Sequence, residues 1–178
     1  MSAHNPNFNE EHIPLAYLIT FRCYGTWLHG DERGAVDRHH NRYGTPRIVP
    51  NKPWRDYNEQ LLNHLPVELD AARRASVATA ITDTCAKRGW DLQAINVRTN
   101  HVHIVVIAGC KPDVVLSAFK ANATRQMRED KCWQFDHSPW VKHGSRRYLW
   151  TERYLERAVD YVLNGQGDDL PNFDDDNT

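Results

Sequence analysis

Two histidines and a tyrosine are the residues of this chain whose types and spacing could do chemistry together. His101 and His103 flank Val102 within the run Val97-Arg98-Thr99-Asn100-His101-Val102-His103-Ile104-Val105-Val106-Ile107. Apolar and β-branched residues surround the histidines with period 2, which predicts a strand. On a strand, residues i and i+2 share a face, so both imidazoles point one way and Val102 the other. Two neutral imidazoles so spaced can grip one divalent ion. Two ligands alone do not make a metal site, and by themselves the pair reads as ordinary histidines on a half-exposed strand.

The partner to seek is a nucleophile, and the segment Tyr154 to Asn164 supplies phenols. Leu155, Ala158, Val159 and Val162 fall at i, i+3, i+4 and i+7, the apolar stripe of an amphipathic helix that Gly165, Gln166 and Gly167 end. Tyr154 and Tyr161, seven apart, share the flank of that stripe. Taken alone, either reads as a boundary residue with its hydroxyl in water. They lie about 10 Å apart along the axis at a rise of about 1.5 Å per residue, so one metal ion cannot activate both equally.

The elements that must position these groups alternate along the chain. Leu15 to Arg22 predicts a first strand, and Val67 to Arg88 a helix with Val77, Ile81 and Cys85 inward, closed by Gly89. Trp90 to Val97 and then the histidine strand suggest a hairpin or a continuing pair of strands, Val114 to Arg128 a second long helix, and Arg146 to Trp150 a short edge strand before the tyrosine helix. This order predicts an α+β fold of ferredoxin-like type, an antiparallel sheet with helices on one face and the tyrosine on a C-terminal helix.

Asn100-His101-Val102-His103, followed downstream by Trp150 and by Val159-Asp160-Tyr161-Val162-Leu163-Asn164, resembles the single-tyrosine HUH transposases of bacterial insertion sequences. Within that family the pattern looks closest to the REP-associated tyrosine and transposase-A-like proteins, over roughly Leu15 to Gln166. The resemblance implies that His101 and His103 hold Mg²⁺ or Mn²⁺ and that Tyr161 attacks a phosphate of hairpin-bearing single-stranded DNA, leaving a 5′-phosphotyrosyl link. The Val-Asp-Tyr-Val context favours Tyr161 over Tyr154. The family commonly presents an amide at the fourth position after the tyrosine, where this chain has Gly165; Asn164 and Gln166 flank it, and Gln166 is the expected third ligand because it reaches farther. Two other readings compete. One is a catalytically inactive, domesticated hairpin-binding protein. The other is a histidine-triad phosphohydrolase, which would want a further histidine where Val105 stands.

Charge and composition agree with a DNA partner. The chain has 178 residues, 40% hydrophobic, and a formal net charge of −1. Residues 168–178 hold five Asp and no Lys or Arg, which leaves 22 basic against 18 acidic residues elsewhere, a net of +4. A single domain over 1–167 with a solvated, disordered acidic tail over 168–178 is expected. Lys120 and Arg125 on the second helix, and Arg146, Arg147 and Tyr148 ahead of the tyrosine helix, are the expected DNA contacts. Interleaved cations and rings suit single strands, which bind through phosphate charge and base stacking.

The segment from about 25 to 60, rich in Gly, Pro, His and Arg, is expected as a long loop that orders on a hairpin; His29, His39 and His40 within it have no ligand spacing. Cys23, Cys85, Cys110 and Cys132 are scattered without a CxxC pair and read as reduced thiols. No apolar run nears the 18 or so residues of a membrane span, and the start of the chain lacks a signal-like apolar region. A cytoplasmic location follows as the expectation, with a homodimer favoured weakly over a monomer.

Overall fold

Alternation along the first strand divides the interior in two. In β1, Ala16–Arg22, Tyr17, Ile19 and Phe21 enter one core while Ala16 and Leu18 enter another, so both faces of the strand are covered. The computed structural model describes residues 13–32 and 48–165. After β1 come α1 (Lys52–Gln60), α2 (Ala71–Arg88), β2 (Asp91–Val97), β3 (His101–Ile107), α3 (Pro112–Glu129), β4 (Ser145–Leu149) and α4 (Glu152–Asn164). The four strands form one sheet in the order β2-β3-β1-β4 with every neighbouring pair antiparallel. That order is the ferredoxin-like one expected from the sequence.

Helix α2 begins later than its periodicity suggests. Asp70 caps it by accepting from the Arg73 N–H at 2.8 Å, and Gly89 closes it at φ 65°. Val67 and Leu69 are spent differently: both are buried in extended chain, with their N–H groups on the carbonyls of Tyr24 and Thr99. The stretch from 25 to 60 is not all loop either, since α1 occupies its end, with Asn51 capping Trp54 and with no buried residue of its own.

Helices α2 and α3 pack together and bury Val77, Ile81, Val115 and Phe119 with Phe21, Val102 and Ile104 in the larger core. The expectation of helices on one face holds for these two only. α4 lies on the opposite face, where Tyr154, Ala158 and Val162 meet Leu18, Ala94, Val105 and Leu149 in a second core. The physical reason is β3 and β1 themselves, whose apolar residues alternate to both sides and would leave Leu18 and Val105 in water without a second layer. All four cysteines are free thiols, and no helix among the described residues is long and apolar enough to cross a membrane. The acidic tail, His39 and His40 lie outside the described residues.

Candidate active site

Register places the histidines on the α4 side of the sheet. Val102, Ile104 and Val106 of β3 enter the larger core, so His101 and His103 share the other face with Val105, as the period of 2 requires. Their rings stand 4.7 Å apart between centroids. His103 is 6% exposed and sits opposite Thr20 of β1, whose hydroxyl lies 2.7 Å from its Nδ1. Burial, then the neighbouring His101 and Arg98, push the His103 pKa down to about 3. It is therefore a neutral imidazole with a lone pair. Asn100 Oδ1 lies 2.6 Å from His101 Nδ1. An amide oxygen only accepts, so in its neutral form His101 carries the proton on Nδ1 and the lone pair on Nε2.

Helix α4 brings the phenol. Thr151 caps its start by accepting from the Tyr154 N–H, and Asn96 of β2 donates from Nδ2 to the Val162 carbonyl at 3.0 Å, tying the last turn to the sheet. Asn96 is also the ladder partner of His103. The Tyr161 ring consequently stands edge-on to His103, 5.5 Å between centroids. Tyr154 is 5% exposed and is part of the second core. The two tyrosines thus do not share a flank: the buried stripe runs Tyr154, Ala158, Val162, with Leu155, Val159 and Tyr161 at its margins.

The expected third ligand, Gln166, lies outside the described residues. Asn164 is exposed, and its side chain donates to Asp160 Oδ1 at 2.8 Å. Gly165 continues the turn, its N–H on the Tyr161 carbonyl, with no side chain to offer. Among the described residues no group of three His, Cys, Asp or Glu side chains could close around an ion. Among the described residues His101 and His103 are the imidazoles that could offer donors here, and an ion held by two imidazoles would keep water and could take phosphate oxygens.

The expected DNA contacts are dispersed. Lys120 turns inward, its Nζ donating to the carbonyls of Val141, Lys142 and His143, and burial pushes its pKa down to about 8. That is a clamp on the chain entering β4, since three carbonyls occupy its ammonium. Arg125 is exposed beside Glu129, and Arg146 pairs with Asp113. Tyr148 is 44% exposed and stacks on Trp150, on the α3 side of the sheet. Arg147 alone shares the face of the histidines, since it pairs with Leu18 in the row beside Thr20 and Ser145. Sequence reasoning missed Thr20, Asn96 and Trp27. Each reaches the site through strand register or a turn, and none belongs to a local motif.

An antiparallel α+β sheet presents two imidazoles to a helix-borne phenol. Residues 67–163 match the family described as transposase IS200-like, more than half of the chain, and the chain belongs to that family. Similar solved structures include a candidate transposase from Deinococcus radiodurans R1, 13% identical with a TM-score of 0.48, covering 85% of this chain and 90% of that one. The REP-associated tyrosine transposase bound to a REP hairpin is also 13% identical with a TM-score of 0.48, over 91% of this chain and 70% of that one. A search of curated protein sequences gives no match.

Proposed function

We propose that this transposase is a metal-dependent strand transferase that cleaves and rejoins hairpin-bearing single-stranded DNA through a 5′-phosphotyrosine. The observation that carries the reading is the convergence of Tyr161 on His103, with His101 beside it, from elements far apart in the sequence. His101 and His103 would hold Mg²⁺ or Mn²⁺, which when bound supplies Lewis-acid polarisation of a phosphate oxygen. Tyr161 Oη attacks phosphorus and gives its proton to solvent, the bond from phosphorus to the 3′ oxygen breaks, and that oxygen takes a proton from solvent to become a free 3′-hydroxyl. Attack on the phosphotyrosine by another 3′-hydroxyl reverses these steps and rejoins the strand without ATP, because the covalent link retains the energy of the phosphodiester. A phenol with a pKa of about 10 leaves more readily than an alkyl alcohol, which suits the reverse step. Arg147 lies on the right face to meet a phosphate of the bound strand. The hairpin requirement rests on the family resemblance.

Gly165 favours a second reading, a hairpin-binding descendant without catalysis, because the position one turn past Tyr161 offers no amide. One experiment separates them. Labelled single-stranded DNA carrying a hairpin is incubated with the protein in Mn²⁺ or EDTA and run on a denaturing gel. A band at the mass of protein plus DNA, dependent on metal and lost in Tyr161→Phe and His101→Ala, is expected. Retention on a native gel with no covalent band would overturn strand transfer in favour of the binding protein.

A further inference from the structure

We propose that Trp27 is a positioning residue for His101, its indole holding the imidazole in the orientation that presents Nε2 to a divalent ion. The inference rests on the ligand role of His101 proposed above and extends it to a residue outside both motifs.

Three contacts close on one another. The Trp27 ring lies 5.1 Å from the His101 ring between centroids, tilted by 34°. Arg22 places its guanidinium 5.2 Å from the centre of the same indole and donates from Nη1 to the Trp27 carbonyl at 3.5 Å. Arg22 is itself the ladder partner of His101 between β1 and β3. The indole therefore touches two side chains whose residues are ladder partners, and a cation over a tryptophan is the favoured form of such a contact. The turn that delivers Trp27 is tied to the site at its base, because the Cys23 N–H bonds the Asn100 carbonyl at 2.9 Å and Thr26 bonds back to the Cys23 carbonyl.

The backbone gives an independent argument. Trp27 has φ 51°, in the left-handed region, where a bulky residue is strained. Glycine adopts that region freely, and Gly25 two positions earlier does so at φ 76°. A tryptophan held there implies that its ring is wanted in place. Asn100 meets the His101 ring at Nδ1 and His103 stands edge-on to it, and the tilted Trp27 ring adds a contact that bears on the plane of the imidazole. Outer contacts of this kind hold the tautomer and direction of a ligand imidazole.

The test uses the full chain with ¹⁵N-labelled histidine and the variants Trp27→Leu, Trp27→Phe and Arg22→Met. Long-range ¹H–¹⁵N spectra without metal should show a single Nδ1–H tautomer for His101 in the parent and in Trp27→Phe, and a mixture in Trp27→Leu, where an imidazole released from the indole turns away from the Asn100 acceptor. Mn²⁺ affinity, read from the free-ion paramagnetic resonance signal, should fall about tenfold in Trp27→Leu and recover to within about threefold in Trp27→Phe, the scale on which outer contacts act. A folded Trp27→Leu with the parent's tautomer and Mn²⁺ affinity overturns the proposal. Should the parent bind no Mn²⁺, the ligand reading of His101 fails, while the tautomer spectra still decide whether Trp27 sets the ring. If Trp27→Leu does not fold, Arg22→Met decides, and a parent-like His101 spectrum there counts against the bridging stack.

Discussion

At the scale of residues, His103 carries the sharpest consequence. Its ordinary pKa of 6.5 is that of the unfolded chain, and burial among the sheet and α4 lowers it to about 3. Between those values the unfolded state binds a proton that the folded state refuses, so folding stability falls as pH drops through that window. Equilibrium urea unfolding of the metal-free protein from pH 7 to pH 4 should show this loss, and His103→Gln, which has no such proton to take up, should flatten it. The two tyrosines separate just as cleanly. Tyr161→Phe should abolish the covalent DNA adduct with little change in melting temperature, whereas Tyr154→Phe should keep the adduct. Tyr154→Ala should cost about 3–5 kcal/mol of stability, the loss expected for a large side chain deleted from a core. An adduct that survives Tyr161→Phe on a denaturing gel would remove Tyr161 as nucleophile. That His101 and His103 share a face was legible because strand geometry is local. Choosing Tyr161 over Tyr154 rested on the resemblance of its Val-Asp-Tyr-Val context, since a helical wheel shows which residues flank a stripe but not which of them meets a distant histidine.

At the scale of elements, α4 is both a carrier and a lid on the second core. Its placement depends on a cap at one end and a side-chain tether at the other. Thr151→Ala removes the cap on the Tyr154 N–H and should lower stability by about 1 kcal/mol, measured by thermal or denaturant unfolding. Asn96→Ala removes the bond to the Val162 carbonyl beside Tyr161. It should slow adduct formation by about tenfold, since misplacement of a reacting group is costly, while shifting the melting temperature little. An unchanged single-turnover rate would show that the tether does not set the nucleophile. The pattern of α4 announced that it packs on something, yet nothing local says which face of the sheet receives it. Lys120 teaches a related lesson: its sequence context reads as a basic helix surface, and only the fold shows the carbonyls of residues 141–143 closing on its ammonium.

At the scale of the whole molecule, strand order followed from the succession of elements, because hairpins and crossovers admit few arrangements. Register did not follow, and register is what brings Thr20 to His103, Arg22 to His101 and Arg147 to the face of the histidines. The contribution of Trp27 was not foreseen, since that depends on a turn folding back across Asn100.

The sheet is roofed on both sides, and β3 lies inside it between β1 and β2. Its backbone amides have neither an edge nor an open face through which to meet solvent. In deuterated water they should exchange only when the entire fold opens, while amides of α4, whose outer side is wet, should exchange through smaller openings. The two halves of the candidate site would then keep different clocks: the histidine strand would open only with the protein itself, and the tyrosine helix would lift and settle again many times within the lifetime of a single native molecule.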